Sequence, residues 1–304
     1  DDFQLAGDAL GGDVLQITRT PPIDPMRSFA LCIAATLGLD ALAEEFPKLS
    51  TRSGPLPFAY TNAPDAMPNY LAGEKWGTQG EAITRMQLPL SPGESLQRLS
   101  LPPGFKAALV AAEPEIAKPI CLGWDTRGRL WIAETFDYPN QLKPAGQGRD
   151  RIKVCEDTNG DGKADKTEVV VTGFGRTDTH ELPNSLTWGP DGYLYGLNGV
   201  FNFSKVTHRG KTYEFTCALF RIDPRTRSFE LFCEGTSNPW GVAINPEGSM
   251  FVSACIIDHL WHLTESGYYH RQGGPYPAFT WPIQSIVKHK HQKAAYCGIH
   301  YFDS

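Results

Sequence analysis

An all-β fold of short, repeated strands is predicted by three features of the 304-residue sequence. Glycine (30) and proline (24) are abundant beside an aromatic content of 11 %, a balance that suits many turns and short strands better than long helices. Three segments align without gaps, each running from a proline to a glycine nine positions on and then into an alternating apolar strand. Further alternating runs lie between these segments, so each repeat holds about four strands.

The first segment begins at Pro119, turns at Asp125 and Gly128, and continues to Glu134. The second begins at Pro183, turns at Asp191-Gly192 and ends at Asn198; the third runs from Pro239 through Asn245 and Gly248 to Ala254. Their starts are 64 and 56 residues apart. Each reads as strand, tight turn with glycine in the left-handed position, and second strand. Residues 151–156 with 168–172, and 218–222 with 228–233, supply the outer strand pairs. Four strands per repeat predict a β-propeller. The chain holds about three blades and the start of a fourth near Ala295, and a six-bladed ring is expected for the full protein.

Strand order in such a meander divides the turns between two rims. Short turns, such as 125–128 and 245–248, fall on one rim. The long connections 135–150 and 199–216 fall on the other, with the lead-ins 179–184 and 236–240. Function is expected on the second rim, where long loops converge.

Upstream, residues 1–43 form a leader or unassigned segment, 44–100 a Pro/Gly-rich irregular extension, and 101–304 the partial propeller. Met26, Arg27, an 11-residue apolar run over 29–39 and Ala41-Leu42-Ala43 have the layout of a secretory signal peptide over 26–43. An amphipathic helix running on to Glu45 fits the same residues. A periplasmic or secreted location is expected from the leader pattern. No apolar run reaches the roughly 18 residues of a spanning helix. The net charge of −6 argues against a nucleic-acid partner. None of the seven cysteines forms a C-x-x-C pair. If Ile222 faces Ser228, Cys217 faces Cys233, as a cross-strand disulfide or as two buried thiols.

One loop carries metal-ligand spacing. Asp157, Asn159, Asp161, Gly162, Lys163, Asp165 and Glu168 match positions 1, 3, 5, 6, 7, 9 and 12 of a calcium loop. Side-chain oxygens plus the Lys163 carbonyl would supply a hard cation, here between strands rather than helices. Its place on the short-turn rim makes calcium structural. A polar turn needs fewer of these residues and is the alternative.

On the opposite rim, Asp178-Thr179-His180 precedes Pro183. A neutral histidine at a channel mouth can take the proton of a substrate hydroxyl; a structural histidine is the alternative. Glu134, Asp137 and Tyr138 open the 135–150 connection as candidate contacts for a polar substrate such as a sugar. His259 with His262, and His289 with His291, read as packing and surface residues, since positions three apart on a strand face opposite ways.

From Leu56 onward the chain resembles the N-terminal propeller of the large membrane-bound dehydrogenases of planctomycetes and verrucomicrobia. The motifs that carry the resemblance are Trp76-Gly77-Thr78-Gln79-Gly80-Glu81, Met86-Gln87-Leu88-Pro89, Ala112-Glu113-Pro114, Trp131-Ile132-Ala133-Glu134-Thr135 with Asp137-Tyr138-Pro139, and His289 to Gly298. More distantly the blades are similar to the quinoprotein glucose/sorbosone dehydrogenases. That resemblance implies sugar or alcohol oxidation with pyrroloquinoline quinone, and His180 as base. It implies cofactor contacts at Asn238 and Trp240, within an Asn-Pro-x-Gly lead-in. Where those enzymes have a quinone-contacting arginine, this chain has Ser237. Family members often continue into helical repeats and a cytochrome c domain, which implies membrane association through regions outside this chain. The competing readings are a non-catalytic propeller that binds glycan or protein, and a metal-dependent lactonase. The lactonase needs a carboxylate-rich channel, whereas the inner strands offer mainly Asn and Ser.

Overall fold

The computed structural model describes residues 3–6, 14–19, 59–67, 83–138, 142–175, 177–178, 180, 182–274, 276–287 and 297–302. The leader pattern over 26–43, His289, His291 and Ala295 lie outside the described residues. The chain divides into two compact units, the first chiefly Leu15–Leu109 and the second chiefly Val110–Ser304.

The first elements along the chain are β1 (Phe3–Ala6), β2 (Val14–Arg19), β3 (Tyr60–Met67), β4 (Ile83–Gln87) and the helix α1 (Pro92–Gln97), the last three within the first unit. Strands β3 and β4 pair antiparallel, with Tyr60 opposite Gln87 and Asn62 opposite Arg85. The helix starts where Ser91 and Glu94 form a reciprocal capping box. Glu94 N–H donates to Ser91 Oγ at 3.4 Å, and Ser91 N–H to Glu94 Oε2 at 2.9 Å, with proline in the first turn. Strand β5 (Phe105–Ala111) follows.

The second unit is a run of propeller blades. Blade one is a four-stranded meander of β6 (Pro119–Trp124), β7 (Leu130–Glu134), β8 (Arg151–Glu156) and β9 (Lys166–Thr172). In blade two, β10 (Asn184–Trp188) and β11 (Leu194–Asn198) are followed by a separate hairpin, β12 (Ser204–His208) with β13 (Lys211–Phe215). The blade resumes with β14 (Ala218–Ile222) and β15 (Phe229–Thr236). Blade three holds β16 (Pro239–Ile244), β17 (Met250–Ala254) and β18 (Leu260–Leu263). The next strand, β19 (Tyr268–Arg271), pairs parallel with β15 and so extends blade two.

The repeated turns close with the same two bonds in every blade. Gly128, Gly192 and Gly248 each donate N–H to the carbonyl three residues back, at 2.9 Å in all three cases. Asp125, Gly189 and Asn245 donate to the carbonyls of Arg129, Tyr193 and Ser249 at 2.9–3.1 Å. The glycines sit at φ 73–82°, the left-handed region that other residues enter only with strain.

Blades stack face to face because side chains alternate along each strand. In β7, Trp131 and Ala133 enter one apolar cluster while Leu130 and Ile132 enter another. Phe174, Phe220 and Phe229 fill the layer between blades one and two, with ring centroids 5.4–6.3 Å apart. Tyr195, Phe232, Val252, Trp261 and Tyr269 fill the next layer. The β12–β13 hairpin folds Val206 and Phe215 into the first of these.

Successive inner strands are neighbours. Gly241 N–H donates to Ser185 Oγ at 2.9 Å, joining β16 to β10, and Gly298 N–H donates to the Trp240 carbonyl at 2.7 Å.

The register of β14 and β15 corrects one expectation. Ile222 lies opposite Phe229 rather than Ser228, and a bulge between Leu219 and Phe220 shifts the pairing again. Cys233 therefore faces Leu219, and both Cys217 and Cys233 are buried free thiols. The Cys217 thiol lies 2.8 Å from the Gly235 carbonyl.

Candidate functional site

The long-loop rim of the second unit gathers the connection 142–150, the lead-in 173–182 and the connection 199–205. Their backbones run in direct contact. A Cβ on Gly148 would lie 1.8 Å from the Phe174 carbonyl oxygen, and one on Gly175 would lie 1.7 Å from that of Phe203. No other residue fits at either position. Lys205 N–H donates to the Gly173 carbonyl at 3.1 Å, and Gly175 N–H to Ser204 Oγ at 2.8 Å.

On this platform His180 Nδ1 lies 2.7 Å from Asp178 Oδ1. The imidazole is open to solvent, with 70 % of its side chain exposed against 23 % for Asp178. An ionised carboxylate only accepts, so Nδ1 carries the hydrogen and Nε2 is the basic nitrogen. Asn202, fully buried, holds both residues from the far loop. Its Oδ1 accepts the Asp178 N–H at 3.2 Å, and its Nδ2 donates to the His180 carbonyl. Asp178 and Asn202 are the two residues of this arrangement assigned no role from sequence. The Asp-x-His spacing signals the first, but nothing local signals the second.

Glu134 and Asp137 are both buried and engaged within the protein. Glu134 accepts from the Ala117 N–H at 2.8 Å, contacts Lys153 Nζ at 3.1 Å and pairs with Arg151 Nε. Asp137 accepts from Arg149 N and Nε, each at 2.6 Å. Tyr138 is exposed, and its carbonyl accepts from Lys118 Nζ at 2.8 Å. Of these three, only Tyr138 presents its side chain to solvent.

At the lead-in to blade three, Asn184 Nδ2 donates to the carbonyls of Leu182 at 2.8 Å and Pro239 at 3.4 Å, tying the two lead-ins together. Asn238 Oδ1 is buried with no hydrogen-bond partner among the described residues. Trp240 is half-buried beside it in sequence. Ser237 is fully buried, and its hydroxyl donates to Gln272 Oε1. An unpartnered amide oxygen suits an N–H or O–H donor on a planar ligand, and the partly open indole offers it a face. Ser237 adds no positive charge to it.

On the opposite rim, the 157–168 loop is organised by its own side chains. Asp157 accepts from the N–H groups of Asn159, Gly160 and Gly162 at 2.6–3.2 Å, and Asp161 from that of Lys163 at 2.8 Å. The Gly162 bond, ahead of the others, holds the Asp157 carboxyl below its usual range although burial opposes it. Asp165 accepts from Thr158, and Glu168 lies 3.5 Å from Arg227. Among the described residues, no group of three or more His, Cys, Asp or Glu is arranged to hold a metal. The donors are hard oxygens suited to calcium, but the carboxylates are not gathered about one point and Glu168 pairs with Arg227.

His262 stacks on Phe251 with centroids 5.0 Å apart, and the His259 carbonyl accepts the Ala254 N–H. Among the described residues, no helix is long and apolar enough to cross a membrane.

Among solved structures the chain is similar to the quinone-bound aldose sugar dehydrogenase of Streptomyces coelicolor. Identity is 13 %, the TM-score is 0.43, and the match covers 64 % of this chain and 62 % of that one. It is also similar to a gluconolactonase-like protein solved by the Northeast Structural Genomics Consortium, at 14 % identity and TM-score 0.33, over 59 % of each chain. The chain thus spans about three fifths of the length of each. No curated protein matches it. The family model described as Domain of unknown function (DUF7133) matches residues 91–170 and 154–300, more than half of the chain, and the chain belongs to that family.

Proposed function

We propose that this propeller oxidises a hydroxyl of a sugar or alcohol, with His180 as the general base. The observation that carries the reading is the exposed imidazole paired with Asp178 at 2.7 Å on the long-loop rim. Nε2 takes the hydroxyl proton as the carbon gives up hydride, and the Asp178 carboxylate stabilises the imidazolium that forms. The carbon–oxygen bond becomes a carbonyl. A quinone-type cofactor, pyrroloquinoline quinone, would supply the hydride acceptor, with Asn238 and Trp240 to hold it. Tyr138 is the contact proposed for the substrate. The leader pattern supports a periplasmic or secreted location, and electrons would pass to a cytochrome c domain or a separate acceptor.

Calcium at Asp157, Asn159, Asp161, Lys163, Asp165 and Glu168 is proposed as a structural ion, supported by the twelve-position spacing and the all-oxygen donor set. Binding requires Glu168 to leave Arg227.

A second reading, a non-catalytic module that binds glycan or protein, is favoured by Phe279 and Trp281, which stand fully exposed two residues apart. A dye-linked assay of aldose and alcohol oxidation, with and without added quinone and calcium, separates the two. Turnover that needs the quinone and is lost in His180→Ala supports oxidation. No turnover under any condition overturns it.

A further inference from the structure

The loops at the rim are stitched together more closely than their lengths require, and one side chain lies at the centre of the stitching. Asn202 is fully buried. Its amide oxygen accepts the Asp178 N–H at 3.2 Å while its amide nitrogen donates to the His180 carbonyl. One amide therefore bridges the two ends of the Asp178–His180 stretch. Its own backbone is fixed in turn. The Asn202 carbonyl accepts from Asn198 Nδ2 and from Ser204 Oγ, both at 3.2 Å, and these two side chains are also buried. Ser204 Oγ accepts the Gly175 N–H, and Thr177 Oγ1 donates to the Phe201 carbonyl. The segment carrying the acid–base pair is thus bonded at residues 175, 177, 178 and 180 to the segment 201–204.

We infer that Asn202 is the positioning residue of the Asp178–His180 pair, holding the backbone so that the carboxylate meets Nδ1. The inference rests on the proposed role of His180. A side-chain amide suits the position. It needs an acceptor toward Asp178 and a donor toward His180 at once, whereas an ionised carboxylate accepts only and a hydrocarbon does neither. The His180 ring is largely exposed, and the backbone that carries it is fixed by the Asn202 amide. Losing the clamp frees the two side chains to separate, and the ring loses the contact that sets its tautomer.

The test uses the full chain with ¹⁵N-labelled histidine, in which His180→Ala identifies the His180 ring signals. At a pH where the ring is neutral, the wild type is expected to show the Nδ1–H tautomer. In Asn202→Ala that signature is expected to be lost, with the far-UV spectrum and the remaining histidine signals unchanged. Should the alanine variant fail to fold, Asn202→Asp carries the same test, since an ionised carboxylate cannot donate to the His180 carbonyl. With an aldose that the wild type turns over, kcat is expected to fall about 10²-fold while KM stays within about twofold. An Nδ1–H tautomer that persists in the Asn202 variants overturns the positioning role and leaves the reading of His180 intact. A wild-type His180 without that tautomer overturns both.

Discussion

Lys153 Nζ lies 3.1 Å from Glu134 Oε1, and both side chains are almost completely withdrawn from water. Arg151 takes the other carboxylate oxygen and stacks 4.1 Å over Phe136. Glu134 thus pins β8 to β7 at the base of a rim loop. Removing it strands two cations, one of them buried. Glu134→Ala is expected to destabilise the protein by about 3–5 kcal/mol, read by urea denaturation. Tyr138→Ala, on the same loop but exposed, is expected to change stability by less than about 0.5 kcal/mol. Equal stability of the two variants would contradict this account.

His180→Ala separates chemistry from structure. The imidazole is exposed, and the bond from Asn202 goes to the His180 backbone carbonyl, which alanine keeps. Turnover of an oxidised aldose is expected to drop about 10²- to 10⁴-fold, with a melting temperature close to wild type. A variant that retains full turnover removes His180 as base.

What was legible in the sequence was what local chemistry decides. The turns at Gly128, Gly192 and Gly248 need a glycine at positive φ and an alternating strand on each side, and both are visible in the residue order. The β12–β13 hairpin was not foreseen, because Val206 and Phe215 are drawn in by an apolar layer built from distant strands. The register of β14 against β15 moves Cys217 out of line with Cys233, first by one residue at the turn and again at the bulge by Leu219, and no turn residue in the sequence signals either shift. At the site, Asp178 and His180 are two residues apart and could be read together. Asn202 is contributed by the far loop, and nothing in its neighbourhood announces it. Glu134 reads as a loop-edge residue because its cations come from the next strand, seventeen and more residues on.

The 157–168 loop distinguishes an ion site from a self-capped turn. Calcium added to chelator-treated protein is expected to stabilise it, by about 2.7 kcal/mol when the ion is present at a hundredfold over its Kd. Asp157→Ala is expected to abolish that response. A melting temperature indifferent to both calcium and chelator makes the loop a turn held only by its own hydrogen bonds.

Acid stability follows from Asp125. Its carboxylate accepts from Arg129 Nε at 2.7 Å and from Trp131 Nε1 at 3.0 Å, and both Asp125 and Arg129 are buried. Burial alone would raise its pKa. The bonds from Trp131 and from the backbone N–H groups of Arg129 and Arg127, with the Arg129 side chain, outweigh burial and hold the carboxyl below its usual range. A carboxyl depressed in the folded state stabilises above its unfolded pKa of about 3.9, and that stabilisation is lost as pH falls through the lower folded value. Asp125→Asn leaves the buried Arg129 without its carboxylate. At pH 7 the variant is therefore expected to be less stable by about 3–5 kcal/mol. The gap should narrow as pH drops below about 4, since protonation then removes in the wild type what the substitution has already removed. Denaturation curves for both proteins between pH 7 and pH 3 measure this directly, and a gap that stays constant throughout would mean that the Asp125 charge contributes nothing to the fold.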